Sequence, residues 1–196
     1  MDEIVTRAMQ RWPNVPAVYG WLQLDRRGNW RIKTKDGRFE PIVNPTMIEF
    51  IGRNYTHDDT GRWYFQNGPQ RVFVALDYTP LVYRLNDNAS ALCAHTGAAP
   101  AQLRAIFFDD AGNVLIETEL GIGLLLDRDL DGLLTQLSAP NGAAADALLE
   151  IVDRGGAAQC RLFGQTLSAA PIRATEVSER FGFNPRPAPA PGMPDC

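Results

Sequence analysis

Aspartates at alternate positions form the pattern in this sequence that most clearly suggests a chemical role. The run Asp127–Gly132 reads DRDLDG. It matches the first six positions of an EF-hand calcium loop, in which oxygens at alternate positions bind the ion and the glycine allows a sharp turn. However, Ser138 occupies the twelfth position, where an EF-hand needs a bidentate Glu. The preceding GIGLLL resembles a strand and not a helix, so the run also fits a helix capped by Asp127. Calcium-responsive binding at 127–138 stays open as one hypothesis.

The two histidines, His57 and His95, indicate a second kind of chemistry, acid–base catalysis. His57 is followed directly by Asp58. His95 lies two residues after Cys93, and a strand would place both on the same face. A hydrolase-like enzyme that draws its acid–base groups from His57, Asp58, Asp77 and His95 is therefore the alternative function.

The familiar catalytic motifs are absent from the sequence. It contains no GxSxG nucleophile elbow, no GxxxxGK[ST] phosphate loop and no GxGxxG dinucleotide fingerprint. The three cysteines, Cys93, Cys160 and Cys196, are widely separated and form no CxxC pair. We therefore predict no catalytic residues, no metal site and no cofactor. Unpaired cysteines and an N-terminus without a signal-peptide pattern predict a cytoplasmic protein.

The charge balance limits the kind of partner. The net charge is −4, which argues against general nucleic-acid binding. No segment approaches the roughly 20 apolar residues that a transmembrane helix needs. The expected partner is a small molecule or a protein, and not nucleic acid or a membrane.

One phrase occurs three times and predicts the elements around these residues. In each copy, Asp is followed three positions later by Gly and two positions after that by an apolar residue; the copies are Asp25–Trp30, Asp58–Trp63 and Asp109–Val114. The Asp side chain can accept a backbone N–H at the start of a type I turn, and Gly can take the positive φ at its end. Alternating apolar and polar residues flank each copy, so we predict three β-hairpin turns.

Helical signals separate the predicted hairpins. Asn44 followed by Pro45 is a typical N-cap and first helical residue. The sequence as a whole predicts an α+β protein with two small related subdomains, each of antiparallel hairpins packed with short helices. We place the subdomains at 1–88 and 89–183. The remainder, 184–196, contains five prolines and is predicted to be disordered or extended.

Aromatic residues near the first two turns could form a binding surface. Alternate strand residues face opposite sides of a sheet, so Tyr64 is expected to point away from Trp63 and toward the same side as Arg62. We predict a binding surface for an anionic or planar ligand, formed by Trp30, Arg31, Arg62 and Tyr64. Packing of these rings in the core is the alternative interpretation.

The order of these elements resembles a known family. The residues that carry the resemblance are WLQLDRRGNWRI (21–32), PTMIEFIGRNY (45–55), THDDTGRWYF (56–65) and RVFVALDYTPLVYRL (71–85). They are similar to the bacterial domain-of-unknown-function family 1285, or to a sister family, over 20–85 and more faintly over 103–153. The resemblance implies a two-part α+β fold with repeated hairpin–helix units and suggests a regulatory or signalling role. It supplies no catalytic residues.

These observations together predict a non-enzymatic, cytoplasmic ligand-binding or protein-interaction module. The hydrolase-like enzyme and the calcium-responsive site are the two alternatives.

Overall fold

Two compact units make up the chain. A computed structural model describes residues 1–142 and 145–190. The first unit comprises Met1–Pro80 together with the C-terminal segment that begins at Gly182, and the second comprises Leu81–Phe181. The described residues form two mixed sheets and five short helices, which confirms the predicted α+β class.

The first unit is built on a six-stranded sheet. Its elements are α1 (Glu3–Arg11), β1 (Val18–Leu24), β2 (Trp30–Lys33), β3 (Phe39–Pro41), α2 (Pro45–Arg53), β4 (Tyr55–His57), β5 (Trp63–Asn67) and β6 (Gln70–Leu76). The strand order is β3-β2-β1-β6-β5-β4, and β1 pairs with β6 in parallel while the other pairs are antiparallel. As predicted, Asn44 caps α2: its side chain accepts the Met47 backbone N–H at 3.1 Å.

The second unit is built on a seven-stranded sheet. Its strands are β7 (Leu81–Leu85), β8 (Leu92–Ala94), β9 (Leu103–Asp109), β10 (Val114–Thr118), β11 (Gly121–Leu125), β12 (Ala158–Leu162) and β13 (Gln165–Ile172). Its helices are α3 (Leu130–Gln136), α4 (Ala145–Asp153) and α5 (Val177–Arg180), with 3₁₀ turns at Asp127–Asp129 and Ala174–Glu176. The strand order is β12-β13-β9-β10-β11-β7-β8, with β9 parallel to β13 and β7 parallel to β11.

Five strands of each sheet share one topology. The order β3-β2-β1-β6-β5 in the first unit corresponds to β11-β10-β9-β13-β12 in the second. In each unit a three-stranded meander is followed by helix and then by a hairpin. The second strand of the hairpin pairs in parallel with the first strand of the meander: β6 with β1, and β13 with β9. The two registers align Leu24 with Leu76 and Phe108 with Pro171. The predicted pair of related hairpin–helix units is thus present in the chain.

The three repeated phrases form the three predicted turns. In each, one Asp carboxylate oxygen accepts the backbone N–H groups two and four residues later, at 2.8–3.1 Å. The glycines Gly28, Gly61 and Gly112 have φ of 80°, 72° and 79°. This is the left-handed region, which glycine adopts without steric cost. The turns at Asp25 and Asp109 follow the corresponding strands β1 and β9.

The strand Leu81–Leu85, placed within the first subdomain by the sequence, pairs with β11 in the second sheet. At the start of the segment predicted to be disordered or extended, Asn184 donates its N–H to the Gly61 carbonyl and Pro185 accepts the N–H of Leu76. Residues 191–196 of that segment lie outside the described residues. None of the helices in the described part is long and apolar enough to span a membrane.

Candidate functional site

An open cleft of about 610 Å³ lies in the second unit, at the carboxyl ends of two neighbouring parallel strands. Strand β9 ends there at Asp109 and β13 ends at Ile172. The end of α4 and the 3₁₀ turn after β13 complete its walls. In α/β sheets, ligands commonly bind in crevices outside the carboxyl ends of parallel strands. This position therefore makes the cleft the candidate site.

Four carboxylates and one guanidinium line the cleft. Asp110 accepts the Ala174 backbone N–H at 2.8 Å, and Arg173 forms an ion pair with Glu176 at 3.6 Å. Asp153 makes no hydrogen bond or ion pair within the described residues, and it is the last residue of α4. A helix carries partial negative charge at its C-terminus, so the carboxylate of Asp153 adds to a negative potential. A cation would be favoured there.

Apolar groups form the inner part of the same cleft. Val152 and Ile172 are buried, with 3% and 6% of their surface exposed, and Phe108 and Pro171 are half-buried. Asp109 also lines the cleft, but its carboxylate binds the N–H groups of its own turn. The cleft thus combines an apolar floor with exposed charged groups that remain available.

The structure places the rings of the sequence-predicted surface in the core. Trp30 is 1% exposed and packs edge-on against Tyr55, with the ring centroids 4.9 Å apart. Tyr64 is 6% exposed and packs edge-on against Phe73 at 5.6 Å. We therefore correct the expectation that both rings present a face to solvent. Burial of large aromatic rings stabilises the fold, because their apolar area leaves water.

The two arginines of that predicted surface have structural partners. Arg31 donates to the Phe39 carbonyl oxygen at 2.8 Å and so joins β2 to β3. Arg62 binds the Asp58 carboxylate at 2.7 Å and lies 4.8 Å above the Phe73 ring. Tyr64 contacts the same Phe73 ring. Trp30 belongs to a different cluster.

His57 and Asp58, the proposed acid–base pair, make structural hydrogen bonds and do not bind each other's side chains. His57 is exposed, and its Nδ1 atom lies 3.0 Å from the backbone oxygen of Asp58 and not from the carboxylate. Burial raises the pKa of Asp58, but hydrogen bonds from Thr60 and Arg62 outweigh this effect and lower the pKa to about 2. A carboxylate that acidic is a poor proton acceptor near neutral pH.

The second group of acid–base candidates is also engaged locally. His95 accepts the Val82 backbone N–H at its Nδ1 atom, at 3.3 Å, and Cys93 donates its thiol to the Ala94 carbonyl at 3.5 Å. Asp77 accepts the Gln23 side-chain amide at 2.5 Å and lies 3.7 Å from the Arg186 guanidinium. Each of these groups has its own partners, and none of these contacts joins two of the candidates.

The aspartates of the EF-hand-like run lie in helix and not in a loop. A 3₁₀ turn begins at Asp127 and α3 follows from Leu130. Asp129 accepts the Leu85 backbone N–H at 2.9 Å, which commits one of its oxygens to the end of β7. Nowhere in 1–142 or 145–190 do three or more His, Cys, Asp or Glu side chains gather closely enough to hold a metal ion. The geometry does not fit the calcium hypothesis.

The charged residues of the cleft were not identified from the sequence. Asp110 directly follows the third turn aspartate, and Asp153 is the last residue of α4, so each has a structural explanation. Arg173 and Glu176 reach the same cleft only because β13 pairs in parallel with β9. That pairing joins segments far apart in sequence, and no local pattern indicates it.

Comparison with known proteins identifies the family. The model of a family called DUF2944, described as "Protein of unknown function (DUF2946)", matches residues 1–188. The chain belongs to this family. No curated protein matches the chain.

Two solved structures, both titled as DUF1285 family proteins, are similar to this member of the DUF2944 family. The structure from Silicibacter pomeroyi DSS-3 has 15% sequence identity and a TM-score of 0.50, and the match covers 85% of this chain and 94% of that one. The structure from Shewanella baltica OS155 has 16% identity and a TM-score of 0.41, covering 58% and 90%. The first likeness confirms, at the level of the fold, the resemblance to family 1285.

Proposed function

We propose that the protein is a non-enzymatic ligand-binding module whose ligand site is the cleft of the second unit. The observation that carries the proposal is the carboxylate of Asp153, which lies at the negative end of α4 in a cleft of about 610 Å³. That volume is within the range of roughly 300–1,000 Å³ typical of small-molecule sites. The sequence-predicted surface around Trp30 and Tyr64 is not proposed again, because its rings have no accessible face.

The charges in the cleft favour a small organic cation. The five charged side chains sum to a net negative charge, and the one cation among them, Arg173, is already paired with Glu176. An amine or guanidinium group could bind Asp153 and the remaining oxygen of Asp110, since charge-assisted hydrogen bonds are the strong ones. A short apolar body could then lie against Phe108 and Pro171, which are half-buried. We propose a ligand of this class.

A binding experiment with matched variants tests the proposal. Spermidine and agmatine are titrated into the protein by calorimetry, with glutarate as an anion of similar size. We expect the cations to bind and glutarate not to bind. The Asp153→Asn variant should bind roughly tenfold more weakly, the effect of losing one charge-assisted hydrogen bond.

The control for this experiment lies on the same helix. Glu150 is exposed and forms an ion pair with Arg154 at 3.6 Å, outside the cleft. The Glu150→Gln variant removes the same charge and should bind the cations as the unaltered protein does. Equal weakening by both variants would show a general effect of charge and would contradict a site at Asp153.

The remaining parts of the proposal rest on the sequence. We propose a cytoplasmic location from the cysteine usage, since the three cysteines are widely separated and form no CxxC pair. We do not propose a hydrolase, because His57 is exposed and the Asp58 carboxylate is fully engaged by its own turn.

A further inference from the structure

A C-terminal segment, Gly182–Arg186, lies on the first sheet in the manner of a bound peptide; we call it the strap. Asn184 donates its backbone N–H to the Gly61 carbonyl at 2.9 Å, and Pro185 accepts the Leu76 backbone N–H at 2.9 Å. Asn184 also pairs in parallel with Arg62. These contacts satisfy backbone groups at the end of β6 and before β5. An extended peptide could pair with the same backbone groups, because they lie at the ends of their strands.

Side chains of the strap add sequence-specific contacts. Phe183 is 7% exposed, so nearly all of its ring area is removed from water. Arg186 lies 3.7 Å from the Asp77 carboxylate, which Gln23 holds in place through its amide. The Asn184 side chain accepts the Arg186 backbone N–H at 2.9 Å and fixes the turn between them. The strap thus offers an aromatic residue, a proline and an arginine at defined positions.

The receiving surface is shaped for close backbone approach. A Cβ atom on Gly61 would lie 1.9 Å from the Gly182 carbonyl oxygen and 2.9 Å from the Phe183 Cα. Only a residue without a side chain permits the strap to lie this near. Gly61 therefore serves both its own turn and the strap, whereas Gly37, with φ of 84°, has nothing within 4 Å of its Cβ position.

The second unit lacks this surface. In the first unit Leu24 of β1 pairs with Leu76 of β6. In the second unit the corresponding pair is Phe108 of β9 and Pro171 of β13, so Pro171 takes the place of Leu76. Proline has no backbone N–H, so the hydrogen bond that Leu76 donates to the strap has no counterpart there. The groove is a specific feature of the first unit and is not a by-product of the shared topology.

We propose that the first unit carries a peptide-binding groove between Gly61 and Asp77, and that the strap is its intramolecular ligand. The groove recognises the sequence pattern Phe-x-Pro-Arg. Backbone hydrogen bonds at Asn184 and Pro185 set the register of the peptide, and burial of Phe183 provides most of the affinity. The strap is an exchangeable segment, so a peptide of its sequence can replace it.

Exchange of the strap tests this proposal. A site-specific protease sequence is inserted between Phe181 and Gly182 of the full chain, and the folded protein is cut after purification. A fluorescent peptide, GFNPRPAPA, is then added in excess. We expect the cut fragment to stay bound through gel filtration and the peptide to replace it, with saturation in fluorescence anisotropy.

Variant peptides separate the contributions. A peptide with Phe183→Ala should bind more than tenfold more weakly, because burial of that ring is lost. A peptide with Arg186→Ala should bind roughly threefold more weakly, as expected for a partly exposed ion pair. Loss of the fragment from a protein that stays folded, with no binding of the peptide, would overturn the proposal.

If cutting unfolds the protein, a measurement on the uncut chain tests whether the strap is docked on the first unit. Hydrogen exchange should show protection of the Leu76 and Asn184 amides, and the Gly61→Ala variant should lose it. The Gly37→Ala variant introduces the same strain at positive φ without meeting the strap, so it should keep the protection. Equal protection in both variants, or none in the unaltered chain, would rule out a docked strap.

Discussion

The ring of Tyr83 lies directly over the α-carbon of Gly123: a Cβ atom at that glycine would come within 2.4 Å of the ring. The two residues lie on the neighbouring parallel strands β7 and β11. Tyr83 is fully buried, so its ring has no space into which it could move. The absence of a side chain at position 123 is therefore a packing requirement of the second sheet.

We expect Gly123→Ala to destabilise the protein by about 1–3 kcal/mol, the usual cost of overpacking a core. Urea denaturation measures the difference in the free energy of unfolding. Gly132→Ala is the control, because its methyl group would meet only the flexible end of the Leu85 side chain and alanine favours a helix. If both variants lose the same stability, steric contact with Tyr83 is not the cause.

The hydroxyl of Tyr83 supplies a second prediction. It lies 2.7 Å from the Thr118 hydroxyl and donates to the Gly121 carbonyl at 3.0 Å. Tyr83→Phe should cost about 1–2 kcal/mol, because it leaves buried acceptors without their partner. Thermal unfolding compares it with Tyr19→Phe, whose hydroxyl makes no hydrogen bond within the described residues and whose loss should change little. A neutral Tyr83→Phe would contradict the predicted role.

The low pKa of Asp58 predicts a dependence of stability on pH. Its pKa is about 2 in the folded chain, below the ordinary value of 3.8. The folded state therefore gains stability above pH 4 that is lost as the pH falls from about 4 toward 2, and the gain is at most about 2 kcal/mol. Denaturation at pH 2–6 should show that Asp58→Asn loses this part of the acid sensitivity.

A neighbouring residue provides the control for that experiment. Asp59 is exposed and adjacent, and it makes no hydrogen bond or ion pair within the described residues. Asp59→Asn should retain the acid sensitivity of the unaltered protein. If Asp59→Asn flattened the pH profile as much as Asp58→Asn, the effect would come from net charge and not from the turn.

The cap of α2 gives a fourth prediction. Asn44 accepts the Met47 backbone N–H, so Asn44→Ala should destabilise the protein by about 1 kcal/mol. Asn44→Asp keeps an acceptor and places a negative charge at the helix N-terminus, and should restore or exceed the original stability. Chemical denaturation of the three proteins at pH 7 tests this order, and a stable Asn44→Ala would contradict it.

Local chemistry explains what the sequence could predict. The Asp–Gly turns and the Asn44 cap depend on residues within five positions of one another, so their spacing was sufficient to identify them. The same signals predicted the hairpins and, with the helices, the α+β class. The family resemblance added the two-part organisation.

Long-range pairing explains what the sequence could not predict. The cleft exists because β9 and β13 pair in parallel across α3 and α4, and a parallel pair has no connecting turn whose residues would reveal it. Neighbouring residues of a strand face opposite sides of its sheet, which assigns Trp63 and Tyr64 of β5 to different faces. This rule could not show that both side chains would be buried. The cleft in the second unit was therefore missed, and the rings of the surface predicted in the first unit are buried.

The strap also determines when the first unit can be finished. Its sheet gains the partner of the Leu76 amide only when Pro185 is available, and the chain makes that residue after the whole of the second unit. During synthesis, domains generally fold as units from the N-terminus. Here the Leu76 amide, at the end of β6, has no strap partner on the ribosome until almost the entire chain has been translated.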